Sequence, residues 1–242
     1  MWSPTLPGLE TCLWLAPGLA ALVLSAGAIS GWLKARHGLR TGDTRKIFHF
    51  TIFSAAAFLS HRLGFEAVNL LGGIVGLYVL LVLGLGEGCA LYEALARESD
   101  APRRSLYIVL PFVSTAVGGI LSTALFGRFS TVGFAVSGFA DAIAEPIGIR
   151  FGRHHYCAPS LGVGVRSERS LEGSAAVFIA AFMASAIVLW FEAAEPFPTL
   201  QGVLGTAVAI AVVGTLVEAC SQHGLDNLTL QVAASGAACA FQ

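Results

Sequence analysis

Residues 130–152 read STVGFAVSGFADAIAEPIGIRFG, an apolar run that two carboxylates interrupt, Asp141 and Glu145. Carboxylates are costly at membrane depth, where they usually mark a cavity, an ion path or a catalytic site. The two carboxylates and two glycines that follow are spaced by four, three and four residues, which places them on one stripe of a helix: Asp141, Glu145, Gly148 and Gly152. We therefore expect the chemistry of this protein on that stripe.

The composition predicts an integral membrane protein. The chain has 242 residues, of which 55% are hydrophobic and 12% are charged, and its mean hydropathy is +0.75. Soluble domains carry about 25% charged residues, so this chain cannot cover a soluble fold with polar surface. Its five cysteines form no CxxC pair, and we expect neither disulfides nor a cysteine metal cluster.

The apolar runs predict an all-α, polytopic fold with about seven or eight transmembrane helices. They cover residues 13–33, 47–65, 67–86, 106–126, 130–150, 174–191, 199–220 and 226–241. His49 interrupts the second run and Asp226 opens the short eighth one, so each is either a full span or a re-entrant segment. Residues 88–99 are too polar to span and predict an interfacial helix. No repeat or long linker is present, so we expect a single domain, residues 1–242.

The basic residues predict the orientation of these spans. If the N-terminus is outside and the spans alternate, all but Arg62 and Arg128 of the 14 Lys and Arg residues lie inside. This asymmetry follows the positive-inside rule, and we expect a multi-pass protein of the plasma (inner) membrane. The polar clusters of the chain then meet at the cytoplasmic face. A nucleic-acid role is not expected, because the basic residues are few and lie at membrane mouths.

Cations beside carboxylates at a lipid–water boundary favour phosphoryl transfer with a divalent metal. Mg²⁺ usually binds one or two carboxylates together with nucleotide phosphates, and Asp141 is the leading ligand, with Glu145 or Asp226 next. The same carboxylates also suit a proton- or ion-coupled secondary transporter. Arg45 and Lys46 also fit ordinary membrane anchors.

Three motifs carry a resemblance to a known family. They are Arg45-Lys46-x-x-His49; Asp141 with Gly148 and Gly152, followed by Arg169-Ser170-Leu171-Glu172-Gly173-Ser174; and Glu218 followed by Leu225-Asp226-Asn227-Leu228-Thr229. Together they resemble the dolichol kinase, phytol kinase and CTP-dependent diacylglycerol kinase family, and they are most similar to the phytol and prenol kinases. The middle motif is the most specific of the three.

The resemblance implies a transferase that moves the γ-phosphate of CTP to a membrane lipid alcohol, of the phytol or polyprenol type or diacylglycerol, with Mg²⁺ or a similar divalent cation. We expect this site at the cytoplasmic face of the lipid bilayer, with Asp141 catalytic and with Asp226, Glu218 or His49 as the proton acceptor. The residues expected at the nucleotide are Arg45, Lys46, Gly148, Gly152, Arg169, Ser170, Glu172, Gly173, Ser174 and Asn227. The Glu172-Gly173-Ser174 turn is expected to present backbone N–H groups to phosphate.

One departure from the family pattern affects the nucleotide contacts. Glu168 and Arg169 stand where two lysines are common, so one phosphate contact is either lost or supplied by Arg166. The nearest alternative function is a phosphatidate cytidylyltransferase, which also uses CTP and a lipid but releases pyrophosphate.

Overall fold

The computed structural model describes residues 6–158, 167–192, 199–222 and 224–241. Arg166 lies outside the described residues. The helices are α1 (Leu9–His37), α2 (Thr41–Leu63), α3 (Phe65–Leu85), α4 (Ala90–Glu93), α5 (Leu106–Phe126), α6 (Ser130–Phe151), α7 (Leu171–Glu192), α8 (Leu200–Cys220) and α9 (Asp226–Ala240). Each of the eight predicted apolar runs coincides with one of the long helices, which confirms the all-α, polytopic class.

Five stretches of the described chain are long and apolar enough to cross a membrane. They are Leu9–His37, Phe65–Leu85, Leu106–Phe151, Leu171–Glu192 and Leu200–Cys220. The third contains both α5 and α6, which the 3₁₀ turn Gly127–Phe129 joins. The charged first turns of α2 and the 15-residue length of α9 set these two helices apart. The number of spans and their orientation stay predictions.

Two local features differ from the sequence-based expectation. Strands β1 (His155–Ala158) and β2 (Ser167–Ser170) pair antiparallel, with His155 opposite Ser170, and this hairpin was not expected. The prediction of an interfacial helix over residues 88–99 is wrong for most of this segment, because α4 covers only Ala90–Glu93. Arg104 explains this correction, because its side chain binds the carbonyl oxygens of Ala96 at 2.8 Å and Arg97 at 3.2 Å, and so helps hold the chain in a non-helical path.

The chain divides into two compact units, Met1–Val113 and Ser114–Gln242. In the first unit α1 packs against α2, α3 and α4, and α2 packs against α3. The hydroxyl groups of Thr41 and Thr44 donate to the carbonyl oxygens of Glu93 and Ala94, at 3.2 and 2.8 Å. These bonds fix the polar segment around α4 to the first turn of α2. The single domain expected for residues 1–242 stays a prediction.

In the second unit α6 packs against α7 and α9, and α8 packs against the same two helices. The core between them is apolar, with Val136, Val177, Ile210 and Leu230 fully buried. The C-terminal half of α5 lies against α9 at Gly118, where an added methyl group would approach the backbone of Leu228. This packing brings the ends of α6 and α8 and the starts of α7 and α9 into one unit.

Candidate functional site

The carboxylates of α6 lie one helical turn apart on the predicted stripe. Asp141 is buried, with 8% of its surface exposed, and Glu145 is half-buried. Pro146 lies inside the helix and has no N–H, so the carbonyl oxygen of Ala142 lacks its usual helical partner at this point. The stripe therefore presents two oxygen ligands in an otherwise apolar helix.

The glycines of the stripe allow α7 to approach α6. A methyl group on Gly152 would lie 2.9 Å from both Cβ and Oγ of Ser170, and one on Gly148 would lie 3.2 Å from that Oγ. On the α7 side, a methyl group on Gly173 would lie 3.2 Å from the carbonyl oxygen of Ala144. Protein atoms from Ser170 and the start of α7 thus occupy the space that these glycines leave, where we expected the nucleotide.

Ser170 is the N-cap of α7. Its Oγ accepts a hydrogen bond from the Gly173 N–H at 3.1 Å, and the Leu171 N–H donates to the carbonyl oxygen of His154 at 2.9 Å. Such a cap satisfies a backbone donor of the first turn that the helix itself leaves without a partner. The expectation that the Gly173 N–H is presented to phosphate therefore needs correction, because this N–H is bonded to Ser170.

Glu172 and Ser174 attach the chain that leaves α6 to the first turn of α7. Glu172 Oε2 accepts from the backbone N–H groups of Arg153 and His154, at 3.0 and 3.3 Å, and its Oε1 lies 2.7 Å from His154 Nδ1. The Ser174 hydroxyl lies 2.7 Å from the Tyr156 hydroxyl. Both predicted nucleotide contacts thus have protein partners in this structure.

Arg169 and Glu218 form an ion pair between β2 and the last turn of α8. Their side chains are largely buried, with 14% and 11% of their surfaces exposed. Arg169 Nη2 also donates to the carbonyl oxygen of Ser221 at 3.0 Å. Sequence reasoning placed these two residues near each other at the cytoplasmic mouth, but it did not predict that they would pair.

The start of α9 is tied to the same place. The Ser221 hydroxyl lies 2.6 Å from the Thr229 hydroxyl, and Thr229 Oγ1 lies 3.2 Å from the carbonyl oxygens of Leu225 and Asp226. Asp226 is half-buried, and its Oδ1 accepts from the backbone N–H of Asn227 at 3.0 Å. A series of contacts therefore links Arg169 and Glu218 to the first turn of α9, which carries Asp226.

Comparison with known proteins gives a relative that matches over most of both chains. No family model matches the chain. Over 219 residues the chain is 29% identical to "Phytol kinase" of Synechocystis sp., covering 90% of this chain and 88% of the relative. This similarity supports a phytol/prenol kinase-like family. The resemblance expected from the three motifs is thus confirmed as a similarity to a phytol kinase.

The first motif of the resemblance, Arg45, Lys46 and His49, lies on the second and third turns of α2, in the first unit. Lys46 is buried, with 8% of its surface exposed, while Arg45 and His49 are half-buried. The His49 ring lies 4.3 Å from that of Phe53. The N-terminal turns of a helix favour anions, which fits the expected phosphate contacts, and those contacts stay a prediction.

The carboxylates of α6 suit Mg²⁺ better than a metal held by protein alone. Within the described ranges, no three His, Cys, Asp or Glu side chains are grouped so that they could hold a metal ion. Mg²⁺ commonly binds one or two carboxylates and completes its shell with water and nucleotide phosphates. Asp141 and Glu145 match that donor set.

Sequence reasoning missed the polar partners of Asn227. Asn227 is buried, and its Nδ2 donates to Thr115 Oγ1 at 2.9 Å. Gln231, fully buried one turn later, donates through Nε2 to the Asn227 carbonyl oxygen at 2.6 Å and to the Thr115 carbonyl oxygen at 3.3 Å. A glutamine four residues after Asn227 in an apolar run was the available signal. Asn227 therefore helps to join α9 to α5.

Proposed function

We propose that this protein is a CTP-dependent lipid alcohol kinase of the membrane. It transfers the γ-phosphoryl group of CTP to the hydroxyl group of a phytol- or polyprenol-type alcohol or of diacylglycerol. The observation that carries the proposal is the similarity to phytol kinase over 90% of the chain. The preference for CTP comes from the family resemblance of the motif that runs from Asp141 to Ser174 and from nothing else, and the proposed location is the plasma membrane.

The second unit supplies the acidic groups that this reaction needs. Asp141, assisted by Glu145, holds the divalent cation, and burial of Asp141 keeps its carboxylate at a fixed place on α6. When bound, Mg²⁺ neutralises charge that develops on the transferred phosphoryl group. Asp226, Glu218 and His49 are the candidates that accept the proton of the lipid hydroxyl.

The basic groups of the proposal bind the triphosphate. Arg45 and Lys46 on α2 and Arg169 on β2 are the proposed contacts, and Asn227 lies beside the acid of α9. The lipid chain stays among the apolar helices, and its hydroxyl group reaches the polar ends of those helices. The support for this part is the local charge and the helix N-terminus at Thr41.

Labelled CTP tests the proposal directly. Purified protein in liposomes is incubated with γ-labelled CTP, Mg²⁺ and, in separate reactions, phytol, a polyprenol or diacylglycerol, with ATP, GTP and UTP in parallel. We expect label in the lipid, with CTP preferred. Asp141→Asn should lower the rate by about 100-fold or more, while Glu10→Gln, an exposed acid on α1, should leave it unchanged.

The same assay separates the alternatives. Label that enters the lipid from α-labelled CTP would identify a cytidylyltransferase. Nucleotide-independent proton uptake into the liposomes, without lipid labelling, would identify a transporter. Absence of γ-label from every lipid tested would refute the proposal.

A further inference from the structure

The Arg169–Glu218 pair bears on which residue accepts the proton. Glu218 lies in the last turn of α8, is buried, and has the guanidinium group of Arg169 as its partner. A general base must have a free acceptor that can reach the reacting hydroxyl. The Glu218 carboxylate instead pairs with the guanidinium group of Arg169, and that group is itself held by the Ser221 carbonyl oxygen.

The surroundings of Arg169 show what the pair does hold. The guanidinium group binds Glu218 and the Ser221 carbonyl oxygen, both at the C-terminal end of α8, where a helix favours cations. Ser221 in turn contacts Thr229 on the first turn of α9. A continuous set of contacts therefore runs from β2 through the end of α8 to the turn that carries Asp226.

We propose that Glu218 is a positioning residue, which orients Arg169 and the start of α9 and does not accept the hydroxyl proton. This assignment rests on the proposed kinase function, and it leaves Asp226 as the proton acceptor of the second unit. Thr229 is a second positioning residue, because its hydroxyl group links the first turn of α9 to Ser221.

A double-mutant cycle tests the role of Glu218. The variants are Arg169→Met, Glu218→Leu and the combination, with kcat and the KM for CTP measured for each. If Glu218 acts through Arg169, the double variant should be as active as Arg169→Met alone, since neighbours in one network are not additive. An additional loss of about 100-fold or more on top of Arg169→Met would show that Glu218 acts in the proton transfer and would overturn the proposal.

A matched pair at position 229 tests the link to α9. Thr229→Val removes the hydroxyl group with little change in shape, and Thr229→Ser keeps it. We expect Thr229→Val to lower kcat by about tenfold, because small misplacements of reacting groups slow catalysis, and Thr229→Ser to restore most of the rate. Wild-type kcat in Thr229→Val would exclude this link.

Melting temperatures of the same variants test the Arg169–Glu218 pair without relying on enzyme activity. Each single variant of the ion pair leaves a buried charge without its partner, so both should melt lower than wild type, and the double variant should recover part of the loss. If wild-type protein phosphorylates no lipid, the proposed function fails, while this recovery would still show that the pair is a structural unit. Additive losses in the double variant would contradict the pairing.

Discussion

Substitution of Gly118 by alanine should separate α9 from its place against α5. A methyl group at this position would lie 2.8 Å from the Leu228 Cα, 2.9 Å from Gln231 Nε2 and 3.3 Å from the Asn227 carbonyl oxygen. Carbon atoms in ordinary contact are about 3.5–4.0 Å apart. Because the nearest atom belongs to the backbone, a side-chain rotation cannot relieve the overlap, and the first turns of α9 must move.

The expected loss of stability follows from two opposing effects. Alanine in a helix is favoured over glycine by about 1 kcal/mol, whereas overpacking of a filled core costs about 1–3 kcal/mol. The backbone contact favours the upper part of that range, so Gly118→Ala should be destabilised by about 1–2 kcal/mol. For a chain of this size the shift in melting temperature is about 2–8 °C. A displacement of Asp226 by about 1 Å should also lower kcat by up to about 100-fold.

Thermal unfolding in detergent, followed by tryptophan fluorescence, and the labelled-CTP assay measure both effects. Gly72→Ala on α3 is the matched control, because nothing lies within 4 Å of its added methyl group. That variant should melt at or above the wild-type temperature and keep full activity. If Gly118→Ala also melts at or above the wild-type temperature with unchanged kcat, the close packing of α9 on α5 is refuted.

Three further predictions concern other parts of the structure. Arg104→Met should lower the melting temperature, because Arg104 binds the Glu93 carboxylate at 2.5 Å as well as two backbone carbonyl groups. The hydrogen bond from Arg104 holds the pKa of Glu93 below its usual value, so the stability that this bond adds should be present above about pH 4.3 and be lost as the pH falls further. If the melting temperature of Arg104→Met fell in acid as much as that of wild type, this assignment would be contradicted. Ser170→Ala should lose the cap of α7 and about 1 kcal/mol of stability, whereas Ser170→Asn should retain most of it, and equal melting temperatures for the two variants would argue against the cap. Chelation of divalent cations should abolish equilibrium binding of CTP, measured by filtration with labelled nucleotide. Without the metal, the carboxylates of Asp141 and Glu145 would repel the phosphates. CTP binding that does not depend on the metal would show that these carboxylates lie away from the nucleotide.

Helix boundaries were the part of this fold that the sequence predicted well. Apolar runs of membrane length allow few conformations other than a helix, because every backbone polar group must be satisfied within the segment. The predicted runs 130–150 and 199–220 accordingly match α6 and α8 closely. The uncertainty about residues 47–65 and 226–241 also had a physical basis, since α2 is charged at its start and α9 has 15 residues.

The interactions among the polar residues were harder to predict. Residue type shows that a carboxylate and a guanidinium group are present, but the pairing of Glu218 with Arg169 depends on where α8 ends relative to β2. The hairpin is short and its strands lie outside the apolar runs, so no periodic pattern marked it. The composition of residues 88–99 favours a helix, whereas hydrogen bonds from the Arg104 side chain to backbone carbonyl groups help to hold this segment in a non-helical conformation.

The middle motif has a structural explanation that is separate from nucleotide binding. Ser170 caps α7 and fills the space beside Gly152, while Glu172 binds the backbone that leaves α6. A spacing that looks like a ligand-binding pattern is therefore also the spacing that joins α6, the hairpin and α7. Substitutions at these joints would reduce activity whether or not the side chains touch CTP.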